Sequence, residues 1–216
     1  LLSCSRSFIQ TDLIMDVIQN LKKNTFDEAL INAISVRDFS DTEIAKLVPI
    51  GNWAVDDYAL LESFAKWRQT FMKFFLMQFV ASVDSTKSYL KNSSVKQVNR
   101  ILFAIYVDGE LIGHCGLSNV ENQSAEADNI IRGNSGGHKD LMYFSERTLL
   151  IWAFEVVGVK KVYAQLISRN FLSRSLFERF GFSLKERIPL KKVSRNDAIS
   201  YKQCADEEAT EKFFLD

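Results

Sequence analysis

Two carboxylates one residue apart, Glu126 and Asp128, stand just ahead of three glycines, Gly133, Gly136 and Gly137, in the stretch "SAEADNIIRGNSGGHKDLM". Each half of that stretch suggests its own chemistry. Residues two apart on a regular strand share a face, so Glu126 and Asp128 can present their oxygens to one cleft. A carboxylate in a narrow cleft has its pKa raised toward working pH, where it can take a proton from a substrate. The alternative is a strand with two solvent-facing carboxylates. The glycines lie between an apolar, strand-like run and a helix-like one. The first amides of a helix lack partners, and the helix dipole adds about half a positive charge there. Glycines at that junction let a bulky anion such as a phosphate reach the main chain. A flexible strand-to-helix turn is the alternative, and neither of two common phosphate-loop frames applies, because Lys139 follows no GxxxxGK[ST] spacing and the glycines are not spaced GxGxxG.

Other chemistries find less support. Two histidines, His114 and His138, and three scattered cysteines, Cys4, Cys115 and Cys204, offer no metal-ligand spacing, so no metal is expected. Cysteines without a CxxC pair suggest a reducing compartment, and the expected location is the cytoplasm. His114 reads as a half-buried structural histidine. His138 reads as a neutral group at the helix start or as a solvated loop residue. Lys+Arg and Asp+Glu are 27 each, which leaves no bulk field for a nucleic acid. The most apolar stretch, "FMKFFLMQFVA", has 11 residues interrupted by Lys73 and Gln78, short of the roughly 20 that cross a bilayer, so no membrane span is expected.

The elements that must position these residues follow from periodicity. Residues 11–33 read as two short helices with a break at Asn24-Thr25, "SVRDFS" as a strand, and "DTEIAKLVPI" as a capped short helix. In "ESFAKWRQTFMKFFLMQF", aromatic residues from Phe64 to Phe79 recur at three- and four-residue steps, which predicts a helix with a wide aromatic face. "ILFAIYV" and "LIGHCGLSNV" form a hairpin across Asp108-Gly109, and "AEADNII" is a third strand. After the glycine loop a long amphipathic helix runs to Gly158. "KKVYAQLIS" is a strand, "NFLSRSLFERF" a helix capped by Asn170 and closed by Gly181, and "FSLKERIPL" and "AISYKQC" a final strand pair. The expected organisation is an N-terminal helical extension over 1–33, a single α/β domain over 34–204, and a polar tail over 205–216.

The helix "NFLSRSLFERFGF" carries a more specific pattern: Asn170, then Ser173, Phe177, Gly181 and Phe182 at three, seven, eleven and twelve residues on. That pattern resembles the second signature of the GNAT superfamily of acyl-coenzyme A dependent N-acyltransferases. The order of elements agrees, since "YVDGELIGHCGL" looks like the family's central hairpin, "AEADNII" like its splayed fourth strand and "RGNSGGHKDLM" like its pyrophosphate loop. "KWRQTFMKFFLMQFVASVDSTKSYL" is similar to the Trp-Arg helix of the branch that contains ribosomal-protein N-terminal acetyltransferases and acetyltransferases of amino-sugar nucleotides. The loop departs from the family frame Q/R-x-x-G-x-G/A, because counting from Arg132 the fourth place is Ser135 and the sixth is Gly137.

The resemblance implies a mixed central sheet of six to seven strands, splayed between the fourth and fifth, and acetyl-coenzyme A as cosubstrate. It implies backbone contacts to the pantetheine and thioester near Ile130 and Ile131. Arg132, Gly133, Asn134, Ser135, Gly136, Gly137 and His138 would hold the pyrophosphate, and Asn170, Ser173 and Phe177 would complete the cofactor site. Glu126 is the first choice of base, with Asp128 able to share the role. Many relatives place a tyrosine where Phe177 stands, so the usual proton donor to the leaving thiolate is absent, and Tyr143, Tyr163 and Ser175 are open substitutes. Trp67 and Arg68 are expected near the acceptor. The expected partner is a small-molecule primary amine, with an amino-sugar nucleotide preferred. A protein N-terminus or ribosomal protein, a non-catalytic acyl-coenzyme A module and a homodimer are left open.

Overall fold

The computed structural model describes residues 14–121, 123–195, 198–209 and 214–215. The expected helix start at residues 11–13 and part of the final turn lie outside them. Helix α1 covers residues 14–21, and α2 covers Phe26–Ile31 behind a capping box in which Thr25 and Glu28 exchange bonds. Strands β1 (Ile34–Arg37) and β2 (Glu43–Pro49) lead to α3 (Tyr58–Thr70), the short β3 (Met77–Gln78), and α4 (Val83–Tyr89), which runs into a π turn over Leu90–Val95. The hairpin β4 (Ile101–Val107) and β5 (Glu110–Ser118) precedes β6 (Ser124–Arg132) and α5 (Leu141–Trp152). Helix α5 ends in a π turn that Gly158 closes at a left-handed φ of 80°. The chain finishes with β7 (Lys161–Tyr163), α6 (Phe171–Glu178), β8 (Ile188–Arg195), β9 (Ala198–Gln203) and β10 (Phe214–Leu215).

Six strands form the central sheet in the order β1-β2-β4-β5-β6-β7. Among the described residues, only the β6–β7 pair of this sheet is parallel. The last strand pair does not join this sheet. It forms a second one, β10-β8-β9-β3, so the phenylalanine-rich segment before β3 is tied to the C-terminal strands. Two apolar clusters sandwich the central sheet. One gathers α1 and α5 around Leu47, Phe103, Leu117 and Leu149; the other gathers α2, α3 and the α4 turn around Val48, Phe64, Leu90 and Leu102.

Several elements differ from the sequence expectation; among them, β7 keeps only Lys161–Tyr163 of "KKVYAQLIS", and β8 begins at Ile188 rather than at Phe182. "DTEIAKLVPI" is strand β2 rather than a short helix, because β1 and β4 supply ladder partners on both of its sides and a ten-residue apolar pattern is ambiguous between the two periods. The aromatic helix stops at Thr70. Beyond it Met72–Phe74 makes a 3-10 turn, so Phe64 and Trp67 stay in the core while Phe71, Phe74 and Phe75 leave the helix half-buried. Aromatic side chains lose rotamer freedom on a helix, and these three rings have another place to pack.

Two buried ionisable groups shape the packing. Lys22, after α1, donates from Nζ to the carbonyls of Ser94 and Val95 at 3.1 Å each and to that of Gln97, which ties α1 to the π turn after α4. On α5, Glu146 is fully buried, and neither carboxyl oxygen has a hydrogen-bond partner among the described residues. Burial pushes its pKa from 4.5 to about 8, so the carboxyl is neutral at neutral pH. Below pH 4.5 both folded and unfolded chains carry the proton; above it only the unfolded chain releases it, until about pH 8. Stability therefore falls across that window by about 1.4 kcal/mol per pH unit, or about 3 kcal/mol by pH 7. Glu146→Met should unfold at a higher temperature than the wild type, by a margin that widens between pH 5 and pH 8. A margin independent of pH would show that the carboxyl is not held neutral.

Candidate active site

Strand β6 separates from both neighbours near its middle. Against β7 it pairs only where Ser124, Ala125 and Glu126 face Lys161, Val162 and Tyr163. Beyond that point the two chains diverge around a cleft of about 440 Å³ whose walls include Ala127 to Arg132 on one side and Gln165 and Leu166 on the other. Against β5 the ladder shifts register between Gly116, opposite Asp128, and His114, opposite Ile131, so that two steps on β5 match three on β6. The extra residue is a β-bulge, and Asn129 adopts φ 55° there. The bulge also exchanges the faces of the strand. Ala125 before the bulge and Ile130 after it pack on the α5 side, and Ile131 packs on the α3 side.

The loop from Gly133 to Asp140 sorts its backbone groups by polarity. Arg132 folds back over it and donates to the carbonyls of Gly136 at 2.6 Å, Lys139 at 3.2 Å and His138 at 3.4 Å. The amides of Gly133 and Asn134 both donate to the Ile112 carbonyl, that of Leu141 to the His138 carbonyl, and that of Asp140 to His138 Nδ1. The amides of Ser135, Gly136, Gly137, His138 and Lys139, and of Met142 and Tyr143 in the first turn of α5, have no acceptor among the described residues. Donors left over at a helix start make an anion-binding concavity. Gly136 and Gly137 take φ 123° and 69°, whereas Ser135 is not in the left-handed region. Serine at the departing position therefore imposes no backbone strain. Arg132, expected among the anion ligands, braces the loop by its carbonyls.

Gly133 answers a different demand. A Cβ there would lie 1.9 Å from the Trp67 indole, so α3 packs flush against the loop only because no side chain intervenes. Trp67 is 2% exposed, donates to Asn134 Oδ1 at 3.4 Å, and is not part of the cleft wall. The sequence expectation put it near an acceptor; the fold uses it to seat the loop. Arg68 lies behind the wall. Its guanidinium sits 3.3 Å above the Phe75 ring and donates to the Met77 carbonyl, and burial pulls its pKa down to about 10. Phe71, Phe74 and Phe75 form the aromatic wall itself.

Across the cleft, Asn170 caps α6 by accepting the Ser173 amide at 3.2 Å, and Asn170, Ser173 and the buried Phe177 all line the cavity. Of the hydroxyls considered as proton donors, Tyr143 and Ser175 line it and Tyr163 does not. Tyr143 is stacked on Phe180 with ring centroids 4.7 Å apart and lies under the Arg179 guanidinium. Arg179 also pairs with Asp140 at 3.4 Å. Sequence reasoning missed Phe71, Gln165 and Arg179; Phe71 belonged to the aromatic run, whereas nothing in the pattern marked the other two.

The carboxylates have different surroundings. Asp128 lines the cleft but is held by Arg100 at 2.8 Å and by the amide and side chain of Asn129, each at 2.7 Å. Glu126 accepts from Asn119 Nδ2 at 2.7 Å and Ser118 Oγ at 3.5 Å and lies just outside the cavity wall. Burial, and then the Asp128 charge, raise its pKa above the ordinary carboxylate value.

Among the described residues no cluster of histidine, cysteine or carboxylate side chains is placed to hold a metal, and no helix is long and apolar enough to cross a membrane. No curated protein sequence matches the chain. Several solved structures share its fold. A probable GNAT-family acetyltransferase from Chromobacterium violaceum superposes with a TM-score of 0.61 at 19% identity, covering 84% of this chain and 85% of that one. RimL, a ribosomal L7/L12 alpha-N-protein acetyltransferase in complex with coenzyme A, gives 0.58 at 15% identity over 78% of this chain and 96% of its own. FdhC, a nucleotide-linked sugar GNAT, gives 0.51 at 14% identity over 78% and 88%. The family described as "Acetyltransferase (GNAT) domain" matches residues 50–183. The chain belongs to the GNAT family of acetyltransferases, enzymes that take their acetyl group from acetyl-coenzyme A.

Proposed function

We propose that the protein transfers an acetyl group from acetyl-coenzyme A to the primary amine of a small molecule within the cleft between β6 and β7. The observation that carries this reading is the run of unpartnered amides from Ser135 to Lys139, continued by Met142 and Tyr143, which opens beside the splayed strands. Those amides fit the diphosphate of the cosubstrate, and the cleft between β6 and α6 fits its pantetheine arm. Asn170, besides capping α6, lines that cleft and is a side chain able to contact the arm.

The residues then act as follows. Glu126, on the α3 face of β6 with Asp128, takes the proton that the amine must lose, directly or through a water. The amine nitrogen bonds to the thioester carbon, and main-chain amides at the bulge stabilise the oxygen that gains charge. The carbon–sulfur bond breaks as the carbonyl reforms. A thiol pKa near 8.5 lets the thiolate leave without an obligatory acid, so Phe177 is compatible with turnover, and Tyr143 and Ser175 are the wall hydroxyls able to assist. Asp128 serves as an anchor for Arg100 and Asn129 rather than as the base. Phe71, Phe74 and Phe75 suit the apolar face of a sugar ring, and Asp128, Asn129 and Gln165 suit its hydroxyls, so an amino-sugar nucleotide is our preferred acceptor.

Two measurements test this reading. Glu126→Gln should lower kcat by about a hundredfold, the usual scale of general base catalysis, with little change in coenzyme A affinity. Because burial raises the Glu126 pKa, the wild-type rate should climb with pH as that carboxyl ionises; the climb should vanish in the variant, and an unchanged profile would remove Glu126 from the mechanism. Arg132→Met frees three loop carbonyls and should weaken coenzyme A binding at least tenfold by calorimetry while the thermal midpoint shifts little. Undiminished binding would mean that the loop does not hold the diphosphate.

A further inference from the structure

A buried histidine on β5 touches the bulge that opens the cleft. The extra residue Asn129 sits at φ 55°, a conformation that non-glycine residues rarely adopt without support. Its amide is held by the Asp128 carboxylate at 2.7 Å. The ladder to β5 passes over Asn129 and Ile130. His114 Nδ1 lies 2.6 Å from that carbonyl oxygen. A carbonyl can only accept, so the imidazole carries its proton on Nδ1. The ring is 5% exposed and is packed by Phe64 at 4.5 Å and Trp67 at 6.1 Å between centroids. Trp67 in turn lies against Gly133 and reaches Asn134. One aromatic stack thus contacts both the bulge and the first residues of the loop. Burial pushes the His114 pKa down to about 4, so the ring stays neutral and keeps its single donor at neutral pH.

We infer that His114 is a positioning residue: by donating Nδ1–H to the Asn129 carbonyl it fixes the bulge of β6, and so the direction in which Ile130 and Ile131 offer their backbone to the cleft. Without that bond the carbonyl loses its side-chain donor, and the strand can slide one residue toward regular pairing. Such a slide would turn Ile131 from the α3 side to the α5 side and move the start of the loop with it. The inference rests on the acetyl-coenzyme A site proposed above, but the bulge can be read without any ligand.

The test compares wild type, His114→Leu, which has no donor, and His114→Asn, whose side-chain amide can present an N–H near the place of Nδ1. Nitrogen-15 NMR of the wild-type ring at neutral pH should show the Nδ1–H tautomer. Hydrogen exchange at the Ile130 and Ile131 amides, without ligand, should speed up at least tenfold in His114→Leu and return most of the way in His114→Asn. Calorimetry with coenzyme A should show at least tenfold weaker binding for the leucine variant, with recovery in the asparagine one. An Nε2–H tautomer, or exchange equal in all three proteins, would overturn the inference while leaving the donor site standing. Absence of coenzyme A binding to the wild type would instead overturn the donor site, and the tautomer and exchange results would still decide the role of His114. Should His114→Leu fail to fold, the tautomer and the asparagine variant decide it.

Discussion

Backbone amides must be left without partners inside a packed domain if they are to receive an anion, and a polar group left unpaired away from water costs about 1–3 kcal/mol. The fold limits that cost by treating donors and acceptors differently. Where β6 and the following loop give up regular pairing, side-chain donors collect four of the carbonyls: His114 takes that of Asn129, and Arg132 takes those of Gly136, His138 and Lys139. Of the amides that remain, those of Lys139, Met142 and Tyr143 belong to residues that line the cleft, and Asn134 to Gly137 are exposed to water. With three loop carbonyls taken up by Arg132, the run of unpartnered amides is selective for anions before any ligand arrives.

The rest of the architecture keeps this segment from collapsing into ordinary sheet. β7 is only three residues long and pairs with the first three residues of β6, so no strand is present farther on to claim the free edge. α3 closes the other side by placing a flat indole where a Cβ would otherwise be, and its phenylalanines leave the helix after Thr70 to wall the cleft. β3 then holds that segment to β9 of the second sheet. The aromatic wall and the C-terminal strands are therefore mechanically linked.

Much of this was legible in the sequence because local signals carried it. The hairpin across Asp108-Gly109 has both turn residues at positive φ, 48° and 84°, as that dipeptide requires. Asn170 caps α6 and Gly158 closes α5, and the glycine loop sits between β6 and α5. What was not legible depends on partners distant in sequence. β2 becomes a strand through β1 and β4, and the last strands leave the central sheet for β3. Trp67 faces a glycine 66 residues away. Similarly, "AEADNII" looks like an unbroken strand, and the bulge at Asn129 appears only once His114 is placed opposite it.

The electrostatics of the cleft agree with the chain's overall neutrality. Three of the arginines around it are committed to other groups: Arg132 to loop carbonyls, Arg179 to Asp140 at 3.4 Å, and Arg100 to Asp128 at 2.8 Å. Asp140 stands at the N-cap of α5 without capping an amide, and its negative charge would oppose an incoming diphosphate if Arg179 did not balance it. Attraction then comes chiefly from aligned amide dipoles and the helix start, which act over a turn or less, rather than from a basic surface acting over a Debye length. Such a site gains little from long-range steering and instead selects for shape: an anion must enter far enough to touch the amides before it is held. On the proposed reading, a narrow cleft lined by Phe177, Leu176 and the β6 backbone would take an extended arm behind that anion, which would require the loop and the splayed strands to be built as one unit.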